Sequence, residues 1–246
     1  MIIENRDTKR KLSIFLSIFI LKLCYLIFVL KFNFAANYTL WSFNGDGIDY
    51  LNASLNLVNE GEYRFGGSDG VTEYVYRMPG MASILAPLLY IFSFSLAVKI
   101  FILFQTLLLS VAVTYLFFYL KKNNKNKIMN YSLFLFLSIG SYLNQYLSSI
   151  IAETISVSLF IIISCYLLQK KEFKISAEFL IICLLFTWLF FLRPFMIVFL
   201  PLFCIRILNF EGGRIGIKLF IKNNLAVGLL IFVIFFLRVF GLLETT

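Results

Sequence analysis

The sequence predicts an all-α integral membrane protein with about seven transmembrane helices, and three observations support this. Of its 246 residues, 61% are hydrophobic and 14% are charged, whereas soluble domains are closer to half apolar and a quarter charged. Four apolar runs approach or exceed the roughly 18 residues that cross a bilayer as a helix. Lys and Arg are concentrated between these runs, as in cytoplasmic loops. A soluble protein with buried core helices is the alternative, but so short a chain could not bury so many apolar helices.

The apolar runs predict a single transmembrane domain over residues 1–246. It consists of a first helix over 12–31, a first outer loop over 32–94 and six further helices within 95–240. These six are expected at 95–120, from the basic segment after 120 to 147, at 151–168, up to 192, at 195–208 and, after a linker at 209–224, at 225–240. We interpret the first helix as an uncleaved signal anchor, because its apolar stretch is long for a signal peptide.

The distribution of basic residues predicts the orientation in the membrane. With the N-terminus in the cytoplasm, the cytoplasmic segments 1–12, 121–130, 169–176 and 206–224 hold 4, 4, 3 and 4 of the 22 Lys and Arg residues. This obeys the positive-inside rule. It requires that stretch 79–94, at about 24 Å as a helix, dips into the membrane without crossing it. We therefore expect a multi-pass protein of a bacterial inner membrane with an extracytoplasmic C-terminus.

Several classes of function are excluded by composition. The chain has no His, which excludes Ser-His-Asp triads and His-ligated zinc. Its four Cys all lie in apolar runs without a CxxC spacing, so disulfide and metal roles are not expected. The net charge of +9 belongs to the loops between helices, and no nucleic-acid partner is predicted.

The first outer loop carries nearly half of the acidic residues, six of the chain's 13 carboxylates. Within it, Ile48, Leu51, Leu55 and Val58 recur at helical spacing, which predicts an amphipathic helix along the membrane surface. Asp46 precedes this helix between two glycines. It is either a helix N-cap, with Asp49 completing a box-like arrangement, or a carboxylate held at the outer boundary as a general base or cation ligand.

Five further charged residues lie where an apolar run meets a loop or within a run. Arg77, before Pro79-Gly80, is either an interfacial arginine or a guanidinium for a phosphate at headgroup depth. Glu153, in the next outer turn, is either a helix N-terminal acid or a functional carboxylate. Arg193, before Pro194, marks a helix break with an interfacial cation. Lys22 and Lys99 lie within helices and are costly there unless they are paired or reach the interface.

These residues form an ordered pattern. A signal-anchor helix is followed by Asp46 with Tyr50, then by Arg77-Met78-Pro79-Gly80, Glu153 and Leu192-Arg193-Pro194. The pattern resembles the GT-C superfamily of polyprenyl-phosphate-sugar-dependent glycosyltransferases, in the branch of protein O-mannosyltransferases and lipid A aminoarabinose transferases. The resemblance covers nearly the whole chain and implies an inverting transferase at the extracytoplasmic face. Its donor would be a polyprenyl-phosphate sugar and its acceptor a glycan, lipid or protein.

The resemblance also implies roles for individual residues. Asp46 would be the catalytic base and Arg77 would bind the donor phosphate. Glu153 would help to organise the site, and with Asp46 it is a candidate ligand of a divalent cation. The remaining supporting residues are expected to be Asp49, Tyr50, Arg193 and Lys99.

Family members usually continue with several more helices. We therefore expect this chain to correspond to their N-terminal part. It is a truncated gene product, a fragment, or one half of a split enzyme whose partner chain supplies the C-terminal helices. One alternative is a truncated or degenerate non-catalytic member that acts as a membrane assembly partner. Another is a small lipid or sugar transporter, which is disfavoured because the polar groups cluster at one boundary and no internal repeat is visible.

Overall fold

A computed structural model of the chain describes residues 2–37, 46–65, 73–74, 79–123, 126–140, 142–169 and 177–202. The described part is mostly helical. Its helices are α1 (Ile2–Cys24), α2 (Asp46–Asn59), α3 (Ala82–Ile91), α4 (Phe94–Asn123), α5 (Lys127–Leu135), α6 (Tyr142–Gln145), α7 (Ala152–Gln169) and α8 (Ala177–Leu192). Two short strands, β1 (Arg64–Phe65) and β2 (Glu73–Tyr74), pair antiparallel after α2.

Three helical segments among the described residues are long and apolar enough to cross a membrane. They are Thr8–Val29, which joins α1 to the π-helical turn Tyr25–Val29, together with α4 and α7. At 22, 30 and 18 residues, they are about 33, 45 and 27 Å long. Shorter apolar helices occupy Ala82–Ile91, Lys127–Gly140 and Ile181–Leu192. The predicted linker 209–224 and helix 225–240 lie outside the described residues, so the expected seven crossings stay a prediction.

The outer surface of these helices is apolar. On α4, the exposed residues Leu96, Leu103, Leu107 and Val111 follow one another at helical spacing along a single face. Exposed large apolar residues also line α1, for example Leu16 and Ile20. Continuous exposed apolar stripes of this kind are unusual on soluble monomers. They suit a surface that faces lipid.

Helix α4 is central to the packing and lies against α1 on one side and α7 on another. Helix α8 packs on α7, and α3 packs on both α2 and α4. Along α4, the buried hydroxyls of Thr106, Ser110 and Thr114 donate to carbonyls four residues earlier at 2.7–2.8 Å. These side chains satisfy themselves within their own helix. They are also small, which permits close helix packing within a membrane.

Several predicted elements agree with the structure. Helices α4, α7 and α8 match the predicted runs, and α2 confirms the helix predicted from Ile48, Leu51, Leu55 and Val58. Stretch 79–94 contains α3, whose 10 residues are about 15 Å long and too short to cross a bilayer.

Two predicted helices differ from the structure. The run ending near 147 was expected to be one continuous helix. Instead α5 passes into a π-helical turn, Phe136–Gly140, and the short α6 follows. The helix predicted from 195 begins as a 3-10 helix, Pro194–Phe199. Pro194 ends α8 because proline lacks an N–H donor and disfavours helical conformation in the residue before it.

Lys22 explains part of the break in the third predicted helix. Its fully buried ammonium donates to Asn144 Oδ1 at 2.6 Å and to the carbonyls of Leu137 and Ser138 at 3.1 and 3.4 Å. Asn144 Nδ2 donates to the Ser138 carbonyl at 3.2 Å. A lysine that would be costly inside an apolar helix is thus paired with carbonyls of the π-helical turn.

We expect Lys22→Met to lower the free energy of unfolding by about 1–3 kcal/mol, because buried acceptor oxygens would lose their charged donor. Thermal unfolding in detergent, followed by circular dichroism, measures the effect. Lys31→Met is the matched control. Lys31 is exposed, and we expect its substitution to change stability by less than about 0.5 kcal/mol. Equal stability of the two variants would contradict a bonding role for Lys22.

Candidate functional site

The candidate site lies at the end of the helix bundle where α1 and α8 end and α4 and α7 begin. The chain leaving α1 is tied to the start of α4 by a hydrogen bond from Ser95 Oγ to the Ala36 carbonyl at 3.4 Å. Glu153 is the second residue of α7, and Arg193 directly follows α8. The antiparallel order of the helices therefore places residues that are far apart in sequence at one end of the bundle.

Helix α2 is seated on the turn that precedes α7. Gly47 lies so close to this turn that a Cβ atom on it would be 3.2 Å from the Ile150 carbonyl oxygen. Tyr50 and Leu51, one turn further along α2, are buried. Because Asp46 directly precedes Gly47, this close approach brings the Asp46 carboxylate to the beginning of α7.

The start of α3 is anchored to the end of α8 through Gly80. Its N–H donates to the Phe191 carbonyl at 3.1 Å, and its carbonyl accepts from Trp188 Nε1 at 3.2 Å and from Ser83 Oγ at 2.7 Å. A Cβ atom on Gly80 would lie 2.5 Å from the Phe191 carbonyl carbon and oxygen. Glycine is therefore required sterically at position 80. The residue that it contacts on α8, Phe191, lies two positions before Arg193.

Arg193 joins two carboxylates in what we call the Arg193 cluster, formed by Asp46, Glu153 and Arg193. Its Nη2 atom forms a hydrogen-bonded ion pair with Glu153 Oε1 and lies 3.8 Å from Asp46 Oδ2. The Arg193 side chain is 19% exposed, whereas those of Asp46 and Glu153 are 41% and 39% exposed. The cluster is thus open to solvent on its acidic side and buried on its basic side.

Helix dipoles favour this arrangement of charges. Asp46 and Glu153 lie in the first turns of α2 and α7, where the positive end of each helix stabilises an anion. Arg193 follows the last residue of α8, where the negative end stabilises a cation. The helix-end interpretations of Asp46 and Glu153 and their membership of a site are therefore compatible. Asp46 itself is the first residue of α2.

Two polar atoms of the cluster have unsatisfied hydrogen-bonding capacity. Glu153 Oε2 and Arg193 Nε are buried and have no hydrogen-bond partner among the residues that the structure describes. The first is an acceptor that requires a donor, and the second is a donor that requires an acceptor. Buried polar atoms of this kind are normally bonded, so a pair of them in one ion pair calls for a further polar group.

The other predicted site residues are placed less directly. Asp49 and Tyr50 lie three and four residues after Asp46, on the same face of α2, and Tyr50 is buried. Lys99 is half-buried on α4 and, among the residues that the structure describes, forms no ion pair with Asp46 or Glu153. Arg77 lies outside the described residues, although the anchored Gly80 follows it by three positions in the sequence.

A divalent cation was expected to use Asp46 and Glu153. In the described ranges, no group of three or more Cys, Asp or Glu residues could hold a metal ion. The two carboxylates face a shared guanidinium, which already supplies positive charge between them. A cation bound by both would complete its coordination with water or substrate oxygens.

Arg193 has a more central position than its predicted supporting role. Its guanidinium is the group that joins the two carboxylates. The available signal was the same as for Glu153: a charge at the boundary of an otherwise apolar run. Its partners could not be identified from sequence because they lie 40 and 147 positions away along the chain.

Comparisons with family models, with curated proteins and with solved structures found no match to this chain.

Proposed function

We propose that this chain is an inverting glycosyltransferase that moves a sugar from a polyprenyl-phosphate donor to an acceptor at the extracytoplasmic face of a membrane. The proposal includes an N-terminus in the cytoplasm, which puts the Arg193 cluster at the outer boundary. It rests on the resemblance of the motifs to the GT-C superfamily and on the apolar helices that suit a membrane. The donor's phosphate would lie at headgroup depth, where the ends of these helices emerge.

The observation that carries the proposal is the pair of buried atoms in the Arg193 cluster that lack a hydrogen-bond partner among the described residues. The unfilled donor at Arg193 Nε suits a phosphate oxygen, and a planar guanidinium binds phosphate in a defined geometry. The unfilled acceptor at Glu153 Oε2 suits a hydroxyl of the substrate other than the one that reacts. The Asp46 carboxylate, held within 3.8 Å of the same guanidinium, completes a site for both reactants.

The proposed reaction uses these groups as follows. The acceptor oxygen attacks the anomeric carbon, and the bond between that carbon and the phosphate oxygen breaks. The electron pair of that bond stays on the polyprenyl phosphate, whose charge Arg193 stabilises together with Arg77. Asp46 takes the proton of the acceptor hydroxyl as general base. In-line attack inverts the anomeric configuration.

We expect Asp46→Asn to lower turnover by about 10²-fold or more, because an amide cannot accept the proton. Purified chain in detergent is incubated with polyprenyl-phosphate hexoses and pentoses and with a mixture of glycan, lipid and protein acceptors, and release of polyprenyl phosphate is measured. Glu60→Gln is the matched control. It removes an exposed carboxylate at the far end of α2 that pairs with Arg64, and it should retain the parental rate. Equal turnover in the parent and Asp46→Asn would refute the role of Asp46. Runs with EDTA test the divalent cation.

A second function is favoured by the ion-pair contacts within the cluster. Arg193 already has two carboxylate partners, so the cluster can also serve as a tie between α2, α7 and α8 in a non-catalytic assembly partner. In that case the parent chain releases no polyprenyl phosphate from any donor. Substitutions at Arg193 then change only thermal stability. The same assay therefore separates the two functions.

A further inference from the structure

The third predicted helix is broken near the candidate site, and its backbone is held by side chains from other helices. After α6, residues 146–150 form a turn that is closed by backbone bonds from Leu147 N to the Asn144 carbonyl and from Ser149 N to the Tyr146 carbonyl, at 3.2 and 3.1 Å. These residues would otherwise continue an apolar helix. Backbone groups freed at membrane depth require partners from within the protein.

Gln105 supplies those partners. It is fully buried in the apolar α4, and its Nε2 lies 2.5 Å from the Leu147 carbonyl, 3.0 Å from that of Ser149 and 3.3 Å from that of Tyr146. Three carbonyls of one turn thus converge on a single amide nitrogen. Other buried polar residues of α4, such as Thr106, bond only to their own helix.

The turn bound by Gln105 also positions the two residues that carry the carboxylates of the Arg193 cluster. On one side Gly47, next to Asp46, packs against the Ile150 carbonyl. On the other side the chain passes through the buried Ile151 and Ala152 to Glu153. A shift of this turn would therefore move Asp46 and Glu153 relative to each other, although Gln105 touches neither of them.

Lys22 fixes the same segment from the opposite direction. Through Asn144 and the carbonyls of Leu137 and Ser138 it holds the chain just before the turn. Two polar side chains from apolar helices, one on α1 and one on α4, thus bind successive parts of one broken helix. Polar residues at such depth are costly and are retained where they have a specific role.

We propose that Gln105 is a positioning residue that sets the separation of Asp46 and Glu153 by holding the turn at residues 146–150. Its consequence for catalysis rests on the proposed function. The geometric part does not, because it concerns the distance between two helix ends. Gln105→Met keeps the length of the side chain but removes the donor, so the turn loses its attachment to α4.

The test measures this separation by cross-linking in the full chain. Asp46→Cys and Glu153→Cys are combined in a background in which Cys24, Cys165, Cys183 and Cys204 are replaced by alanine. A short bifunctional methanethiosulfonate reagent then reports their proximity. The two cysteines also remove the carboxylates that bind Arg193. The cross-linking rate then depends on the position of the turn and not on the ion pairs with Arg193. Gln105→Met should lower the cross-linking rate about fivefold, the population change expected from one buried hydrogen bond.

Thr106→Val is the matched control, since it removes a buried donor from the neighbouring position of α4 that bonds only to its own helix. It should leave the cross-linking rate at the parental value. Equal rates in the parent and Gln105→Met, or an equal fall in Gln105→Met and Thr106→Val, would overturn the proposal. If Gln105→Met does not accumulate in the membrane, Gln105→Asn is used, which draws the amide back by one methylene and should give a smaller fall.

Turnover in the carboxylate-containing chain provides a separate readout. Gln105→Met should lower kcat by a larger factor than it changes KM, because substrate contacts remain while the base and its partner are misplaced. Absence of turnover in the parent would overturn the proposed function alone. The cross-linking result would still decide whether Gln105 sets the distance between the two helix ends.

Discussion

Replacing Arg193 with methionine is expected to lower turnover by about 10²–10³-fold, which is the usual cost of removing one electrostatic donor from a transition state. Arg193 holds Glu153 in an ion pair and lies 3.8 Å from Asp46. Without it, two carboxylates would face the incoming phosphate with no positive charge between them. Both are about 40% exposed, so water screens the change and we expect only about 1 kcal/mol of lost stability.

Three comparisons make the Arg193 result specific. Arg193→Lys keeps the charge but loses the planar fork, and we expect an intermediate loss of turnover. Adding Glu153→Gln to Arg193→Met should cost less than the two separate effects together, because the residues act as a pair. Arg64→Met removes an arginine that pairs with Glu60 and Glu62 beside α2, and it should be neutral for turnover. Parental turnover in Arg193→Met would exclude this residue from the site.

Gly80→Ala should have the largest effect on folding, a loss of about 3 kcal/mol or more. The added Cβ would meet the Phe191 carbonyl carbon and oxygen at 2.5 Å and the Leu192 nitrogen at 2.6 Å. These are backbone atoms, so no side-chain rotation can relieve the overlap. The start of α3 would have to move away from α8, which would break the bond from Gly80 N–H to Phe191. Thermal unfolding in detergent and the yield of folded protein measure the loss.

A graded series of glycine substitutions provides the control for Gly80. At Gly47 the nearest atom to an added Cβ is the Ile150 carbonyl oxygen at 3.2 Å, and at Gly140 it is Phe136 Cδ2 at 3.8 Å. We therefore expect Gly47→Ala to be mildly destabilising and Gly140→Ala to be near neutral. If all three variants lost the same stability, the close contact at Gly80 would not be the cause.

The sequence predicted the helices and the ends at which charge accumulates. Glu153 was indicated by its place at the boundary of an apolar run, Asp46 by its two flanking glycines before α2, and Arg193 by its place before Pro194. None of these signals could pair the three residues, because pairing depends on the antiparallel packing of α7 and α8 and on the position of α2. The close approach of Gly47 to Ile150, which brings Asp46 into the cluster, has no local sequence signal.

The break in the third predicted helix could not be predicted for a similar reason. Its residues form a largely apolar run without proline, in which the Gly140-Ser141 pair weakens the helix locally but does not predict the turn at residues 146–150. The carbonyls freed by the π-helical turn and the following loop are satisfied by Lys22 and Gln105. These side chains are contributed by helices that precede the break by 115 and 42 positions. Long-range hydrogen bonds therefore override the local helical pattern.

The buried ammonium of Lys22 also bears on how the protein is made. Its carbonyl partner at Leu137 is synthesised 115 residues later, roughly ten seconds at ribosomal speed. During that interval the first helix must enter the bilayer with a lysine that costs about 2.5–3.5 kcal/mol. The 13 Leu, Ile, Phe and Val residues between Leu12 and Val29, where Lys22 is the single charged residue, contribute about −0.3 to −0.6 kcal/mol each and outweigh that cost. The apolar residues of α1 therefore favour its insertion before the carbonyl partners of Lys22 are made.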